Sequence, residues 1–305
     1  DPLSGRHEDL LARARAAGAL PKLFYTQTST DYWSRSASLL HTDVSGSRDL
    51  PLDPSARLYV FVGGQHGVWV LPRRGRFALC HNPADYRPVL RALLLRLDGW
   101  MSGRTMPPAS VYPNLAGGSL GTLAEYRRRF PKLPEAAGSR LPPGQYLRPP
   151  RLDLGPRFRD AGIIDRQPPK FGPPFEARLP LPDADGIDLG GIRLPRIAVP
   201  LGSHVGWNPR RDGAADAIGR WAGGYIPFAA DPVAAAAGDS RRPLSARYRD
   251  RQDYVAKVGA AADRLVQRGF LLPGDVAAIA GAAALYYSAQ LNRSEDPEDC
   301  AYLRR

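Results

Sequence analysis

Two short, continuous apolar runs stand in the first quarter of the chain, at residues 22–26 and 57–62. Neither run alternates apolar with polar side chains, so both predict strands of a sheet that is covered on two faces. An amphipathic segment at residues 10–17 precedes the first run and predicts a short helix that ends at Gly18. The segment between the two strands, residues 32–40, is compatible with one or two helical turns.

The clearest helical pattern covers residues 87–101. Its apolar side chains recur at i, i+3 and i+4 spacing, which places them on one face, while arginines occupy the other. The predicted apolar face consists of Val89, Leu90, Leu93, Leu94, Leu97, Trp100 and Met101. Helices that alternate with strands in this way indicate an α/β fold.

Proline density divides the rest of the chain. From residue 103 to about residue 242 prolines are too frequent for long helices, and Asp185-Gly186 predicts the tight turn of a β-hairpin. Helical periodicity then returns at Leu244–Arg268 and at Leu272–Leu291, and the second of these helices is apolar all round, which predicts burial. We therefore expect three segments: 1–102, a Pro-rich loop and β-hairpin region at 103–242, and a C-terminal helical segment at 243–305.

The formal net charge is +12 and the pI is near 10.0, which raises the question of nucleic-acid binding. All but four of the 42 basic residues are arginines, and they are scattered along the chain. No zinc-finger spacing, basic helix or aromatic-interleaved RNP pattern accompanies them, so the charge predicts a solvated basic surface and no specific nucleic-acid site. Weak attraction of polyanions is still expected. No apolar run reaches the roughly 20 residues that a membrane-spanning helix needs.

Cysteines and histidines give little support to a cofactor. Cys80 and Cys300 are the two cysteines, which leaves one long-range disulfide open and excludes an iron–sulfur or Cys-rich zinc site. His41, His81 and His204 show no metal-ligand spacing relative to one another. The sequence therefore predicts neither a metal nor another cofactor.

An acid and a histidine follow the two predicted strands. Asp31 comes five residues after the first strand and His66 four residues after the second, within the glycine-rich stretch 63–67. Because successive parallel strands deliver their following loops to the same sheet edge, the two side chains can meet as the acid and base of a catalytic triad. The alternatives are that Asp31 caps a helix at residues 32–40 and that His66 only bonds backbone.

The stretches that carry these residues resemble a known family. They read "LPKLFYTQTSTDYWSRSASLLHTD", "RLYVFVGGQHG", "DADGIDLGGIRLPRIAVPLGSHVGWNPRR", "GGYIPFA" and "RYRDRQDYVAKV". The chain is similar to a bacterial family of alpha/beta-hydrolase domain proteins. The resemblance implies an esterase-type hydrolase fold, with the catalytic acid at Asp31, where many relatives have glutamate, and the histidine at His66. In relatives, the nucleophile elbow and the earlier strands lie upstream of the matching segment.

One serine within the chain fits the nucleophile motif literally. Ser119 is the centre of Gly117–Gly121, a G-x-S-x-G sequence. The motif needs a strand before it and a helix directly after it, and it should precede the acid and the histidine. Ser119 follows His66, and no clean strand or immediate helix flanks it. We therefore expect the nucleophile upstream of Asp1.

The combined prediction is the C-terminal portion of a serine alpha/beta-hydrolase. Residues 1–102 would hold the C-terminal part of the hydrolase sheet, with a Pro-rich β elaboration and C-terminal helices after it. The expected reaction is hydrolysis of a small carboxylic ester, with His66 as general base and Asp31 as its orienting acid. The alternatives are a non-catalytic hydrolase-fold remnant or interaction subunit and, less favoured, a polyanion-binding protein. Substrate, compartment and oligomeric state do not follow from the sequence.

Overall fold

The computed structural model describes residues 8–68, 73–133, 141–211, 217–236, 238–293, 296, 299–300 and 303. The α-helices are Ala12–Ala16 (α1), Ser29–Ser34 (α2), Arg87–Met101 (α3), Leu123–Arg129 (α4), Phe158–Ala161 (α5), Pro195–Ala198 (α6), Arg251–Gln267 (α7) and Val276–Leu291 (α8). Short 3-10 turns lie at Ala37–Leu40, Leu244–Ala246 and Pro273–Asp275. The strands are Leu23–Thr28 (β1), Ala56–Phe61 (β2), Cys80–His81 (β3), Leu120–Gly121 (β4), Pro150–Asp153 (β5), Lys170–Pro174 (β6), Leu179–Pro180 (β7), Gly202–Val205 (β8) and Gly224–Pro227 (β9).

Strands β1 and β2 pair in parallel and confirm the two strands predicted from the apolar runs. Their register runs from Leu23 opposite Ala56 to Thr28 opposite Phe61. The other edge of β2 is also covered. The Val60 amide donates to Val111 O at 3.0 Å, and the Val111 amide donates to Leu58 O at 2.9 Å. β2 is consequently almost fully buried, whereas β1 is only partly so.

The remaining strands form small antiparallel sheets. Strands β3, β9 and β8 make a three-stranded sheet in that order, and two-stranded sheets join β4 to β7 and β5 to β6. The described part of the chain is thus a mixed α/β structure of helices and small sheets. This agrees with the predicted α/β class at the level of element types.

Helix α3 has the predicted limits, 87–101, but its buried face is narrower than predicted. Val89, Leu93 and Trp100 are buried, whereas Leu94 and Met101 are 66% and 68% exposed. At 3.6 residues per turn, Leu94 lies roughly 140° around the helix from Val89. Including Leu94 and Met101 in the apolar face was therefore wrong.

The two C-terminal helices pack against each other. Helix α7 begins at Arg251, seven residues later than predicted, where the carboxylate of Asp250 accepts a hydrogen bond from the Asp253 amide at 2.8 Å. The prediction that α8 is buried was wrong, since its buried residues are Ala283, Tyr287 and Gln290. One side of α8 contacts its neighbours, and the small, mostly alanine side chains on its other side remain at the surface.

The predicted turn at Asp185-Gly186 is present. Gly186 has φ of +75° and its amide donates to Asp183 O at 3.0 Å, and a single antiparallel bridge joins Pro182 to Asp188. After this bridge the two arms of the hairpin separate, and Ile192 in the second arm forms a parallel bridge with Phe61 of β2. The hairpin therefore attaches the Pro-rich region to the central strand.

Cys80 and Cys300 form a disulfide, with their Cα atoms 5.9 Å apart. The bond joins β3 to the C-terminal end of the chain across 220 positions of sequence. The sequence left open whether these two cysteines pair, and the structure shows that they do.

The hydrophobic core draws on distant parts of the sequence. One cluster packs Trp33 against Tyr126 and Trp207, and a second packs β2 and α3 against α7. Both clusters combine residues from before and after position 103. The division into three segments therefore remains a prediction from sequence composition. Within the described ranges, no helix combines the length and apolar character that a membrane crossing requires.

Candidate active site

Asp31 and His66 meet at the carboxyl ends of the parallel strands β1 and β2. Asp31 Oδ1 lies 2.6 Å from His66 Nδ1, which is a short charge-assisted hydrogen bond. Asp31 stands in the first turn of α2, directly after β1, and His66 stands in the loop after β2. The Asp31 side chain is 6% exposed and the His66 side chain 37% exposed. The acid is thus enclosed, while the imidazole is accessible.

The carboxylate of Asp31 is fixed from both sides. Its second oxygen, Oδ2, accepts hydrogen bonds from the Thr28 amide at 2.7 Å and from the Thr28 hydroxyl at 2.8 Å. Thr28 is the N-cap of α2 and Asp31 is the third residue of the helix, so the alternative in which Asp31 caps a helix at residues 32–40 was wrong. The spacing Thr28-x-x-Asp31 is that of a capping box, a signal that the sequence already contained.

The loop that carries His66 is tied to the start of α2. Gly63 has φ of +65°, and a Cβ atom there would lie 2.8 Å from His204 Cβ, so glycine is required. The Gly63 amide donates to Ser29 Oγ at 2.8 Å, and the Thr30 amide donates to Gly64 O at 3.2 Å. These hydrogen bonds tie the segment that carries the acid to the loop that carries the histidine.

Two aromatic residues from distant segments support the imidazole. The Tyr86 hydroxyl donates to His66 O at 2.6 Å, and the Trp221 ring meets the His66 ring edge-on with centroids 4.4 Å apart. Burial, with a smaller contribution from the Asp31 charge, raises the pKa of Tyr86 to about 12, so its hydroxyl keeps its proton at neutral pH. The Arg35 guanidinium lies over Trp221, 4.4 Å from the ring centre. The sequence reasoning missed Tyr86 and Trp221 because no local pattern links them to His66.

The other described histidines lie apart and have structural partners. His204 Nδ1 is 3.0 Å from Asn82 Oδ1, and the Asn82 amide in turn donates to Gly63 O. His41 Nε2 is 2.9 Å from the Tyr32 hydroxyl, and burial lowers the pKa of His41 to about 4. In the part of the chain that the structure describes, no group of three metal-ligating side chains is close enough to hold an ion.

A buried carboxyl group lies behind the site. Asp188 is 1% exposed, and neither of its carboxyl oxygens has a hydrogen bond of normal geometry. Burial raises the pKa of Asp188 to about 7, and the nearby Ser29 hydroxyl acts in the opposite direction without cancelling the effect. The sequence contains no signal for this group, because Asp188 lies only three residues beyond the Asp185 of the predicted hairpin turn.

A large cleft of about 1100 Å³ adjoins the histidine. Trp221, which contacts the His66 ring, is also part of the cleft wall. Among the described residues the wall contains four arginines and no acidic side chain; its charged and aromatic members are Arg73, Arg76, Arg210, Arg220, Phe77, His81, Tyr146 and Trp221. The cleft is therefore a basic and partly aromatic surface next to the acid–histidine pair.

Ser119 lies between a turn at residues 115–118 and the short strand β4. Its Oγ accepts from the Asn114 amide at 2.9 Å and lies 3.2 Å from Asn114 O, and the helix α4 begins only at Leu123. Ser29 is bonded to Gly63 and fully buried. Among the described residues, no serine hydroxyl is hydrogen-bonded to His66.

A buried carboxylate that accepts a hydrogen bond from Nδ1 of an imidazole is an arrangement typical of enzymes that use histidine as a general acid–base, because Nε2 stays available to the reacting group. The family model for the alpha/beta hydrolase domain matches residues 6–281 of this chain. The chain belongs to this family, and the resemblance seen in its motifs is confirmed to that extent. Comparison with curated proteins and with solved structures gave no significant match.

Proposed function

We propose that this chain supplies the acid–histidine pair of a serine hydrolase that cleaves small carboxylic esters. The proposal depends on one observation, the 2.6 Å contact between Asp31 Oδ1 and His66 Nδ1 at the ends of adjacent parallel strands. Membership of the alpha/beta hydrolase domain family supports it. Asp31 holds the imidazole in one tautomer and stabilises the imidazolium cation, and His66 Nε2 is the atom that exchanges protons with the reacting groups.

The reaction proceeds through two acyl transfers. His66 Nε2 takes the proton of the serine hydroxyl as its oxygen attacks the ester carbonyl, and the imidazolium then returns that proton to the departing alcohol. A water molecule repeats the sequence: His66 accepts its proton, the hydroxide oxygen bonds to the acyl carbon, and the serine oxygen leaves with the proton. The net change is ester plus water to carboxylic acid plus alcohol.

The nucleophilic serine, in this proposal, belongs to a segment upstream of residue 1. The lack of a hydrogen bond between His66 and any described serine supports this assignment, and so does the exposed edge of β1. β1 pairs with β2 alone among the described residues, and Thr26 in the middle of β1 is exposed. Upstream strands that added to this edge would bury β1 as β2 is buried, and would bring a strand-to-helix elbow to the same sheet edge.

A fluorophosphonate probe tests the assignment, because it labels only an activated serine. We expect no labelling of the 305-residue chain alone, and labelling once the upstream part of its reading frame is fused to it or co-expressed with it. Asp31→Asn and His66→Ala should then abolish labelling and the hydrolysis of a short-chain nitrophenyl ester. The matched control is Asp98→Asn, because the Asp98 side chain is 65% exposed on α3.

Three results would count against the proposal in different ways. Labelling of a serine in the chain alone contradicts an upstream nucleophile. Activity that survives both Asp31→Asn and His66→Ala contradicts the acid–base assignment. No labelling even with the upstream segment present favours the alternative of a non-catalytic hydrolase-fold subunit.

A further inference from the structure

We propose that the basic cleft beside His66 binds a carboxylate, so that the substrates are esters carrying a second, ionised carboxyl group together with an aromatic or extended apolar part. This inference adds a substrate class to the proposed function and rests on that function for the role of the ester. Binding of the carboxylate does not depend on ester cleavage and can be measured separately.

The cleft is in the correct place to position a substrate. The Trp221 ring contacts the His66 ring, with 4.4 Å between ring centres, and Trp221 is also one of the residues that line the cleft. A ligand in the cleft and the imidazole can therefore contact the same indole ring. The volume of about 1100 Å³ exceeds what a simple acetate ester would occupy.

The charge of the cleft favours an anion. Arg76 and Arg220 are both exposed cleft residues, and neither guanidinium has an acidic partner among the described residues. Elsewhere on this protein exposed arginines do form ion pairs, as Arg87 does with Asp85 at 2.8 Å. Two guanidinium groups that have no acidic partner within the described ranges share one concave wall, so they raise the local concentration of anions, and their planar donor forks suit a carboxylate.

The rest of the wall selects the shape of the ligand. Phe77, Tyr146 and Trp221 give the cleft three aromatic surfaces, and Leu147 and Ile218 add aliphatic contacts. Apolar contact of this kind contributes about 25 cal/mol for each Å² removed from water, whereas a small inorganic anion would leave these side chains exposed. A carboxylate attached to an aryl or alkyl body uses both features of the wall.

Calorimetric titration of the intact chain with 2-naphthoate and with its neutral counterpart 2-naphthamide tests the inference. At low ionic strength we expect the acid to bind at least about tenfold more tightly than the amide, the factor that one net charge-assisted hydrogen bond provides. The double variant Arg76→Gln/Arg220→Gln should lose this difference. Both side chains are exposed, so the variant should fold normally, which circular dichroism verifies.

The control removes the same charge elsewhere. Arg128→Gln/Arg251→Gln takes two exposed guanidinium groups from α4 and α7, outside the cleft wall, and should keep the preference for the acid. Equal affinity for the acid and the amide overturns the inference, and so does an equal loss in both double variants, which would indicate general attraction by the +12 chain. The titration measures binding without ester cleavage, whereas the fluorophosphonate probe reports the activated serine, so failure of the catalytic proposal and failure of this one give different results.

Discussion

Replacing Asp188 with asparagine tests whether the core behind the site holds a carboxyl group that resists ionisation. Asp188 is 1% exposed and its oxygens lack hydrogen bonds of normal geometry, and burial raises its pKa from 3.8 to about 7. Between these two pH values the folded protein holds a proton that the unfolded chain has released. Stability therefore falls as pH rises through this window, and the loss is complete above pH about 7.

The size of the effect follows from the difference of roughly three between the two pKa values. Each pH unit between the two pKa values corresponds to about 1.36 kcal/mol. The free energy of unfolding therefore falls by about 4 kcal/mol in total, of which about 2 to 3 kcal/mol is lost between pH 5 and pH 8. Asparagine keeps the shape of the side chain and cannot ionise. Any cost of burying its amide is the same at every pH, so it does not alter the slope.

Urea unfolding of the disulfide-intact protein, followed by circular dichroism at several values between pH 5 and pH 8, measures the change. We expect the free energy of unfolding of Asp188→Asn, relative to the wild type, to increase by about 2 to 3 kcal/mol across that range. Burial lowers the pKa of His41 and of His81 to about 4, so both histidines stabilise the protein as pH rises from there toward 6.5, but they do so equally in the two proteins. A difference that stays constant with pH refutes the reasoning, and the exposed control Asp98→Asn should show a constant difference.

Three further changes test the supports of the site and the covalent link. Thr28→Val removes the hydroxyl that donates to Asp31 at 2.8 Å, and should lower the free energy of unfolding by about 1 kcal/mol in urea titrations; an unchanged midpoint would show that this bond adds nothing. Gly63→Ala places a Cβ 2.8 Å from His204 Cβ at φ of +65°, and should cost about 1 to 3 kcal/mol in the same assay, with no loss if the loop can shift freely. Cys300→Ser opens the disulfide and should lower stability by about 2 to 5 kcal/mol; thermal unfolding of the variant should match that of the reduced wild type, and wild-type protein that is insensitive to reductant would contradict this.

Features that depend on residues adjacent in the sequence were predictable from the sequence. The strands β1 and β2 and the limits of α3 follow from a continuous apolar run and from a 3.6-residue period, which backbone geometry imposes locally. The placement of Asp31 and His66 at one sheet edge was predictable for a related reason. Two parallel neighbours in register deliver the residues that follow them to the same end of the sheet.

Burial around each helix could not be predicted from composition. α8 is apolar on all sides, yet Leu285 on it is 70% exposed, because only one side of the helix packs against other elements. The same holds for Leu94 of α3. The hydrophobicity of a side chain determines whether burial is favourable for it. Whether it is actually buried depends on how much of the protein packs against that side of the helix.

The sequence by itself determined the local elements, the family resemblance and the candidate acid and histidine. The tertiary structure alone decided that Trp221 joins His66 to a basic cleft, that Asp188 is buried without a hydrogen bond of normal geometry, and that Cys80 pairs with Cys300. These contacts join residues that lie far apart in the chain. Their formation depends on how the whole core packs, and no short-range period in the sequence records that packing.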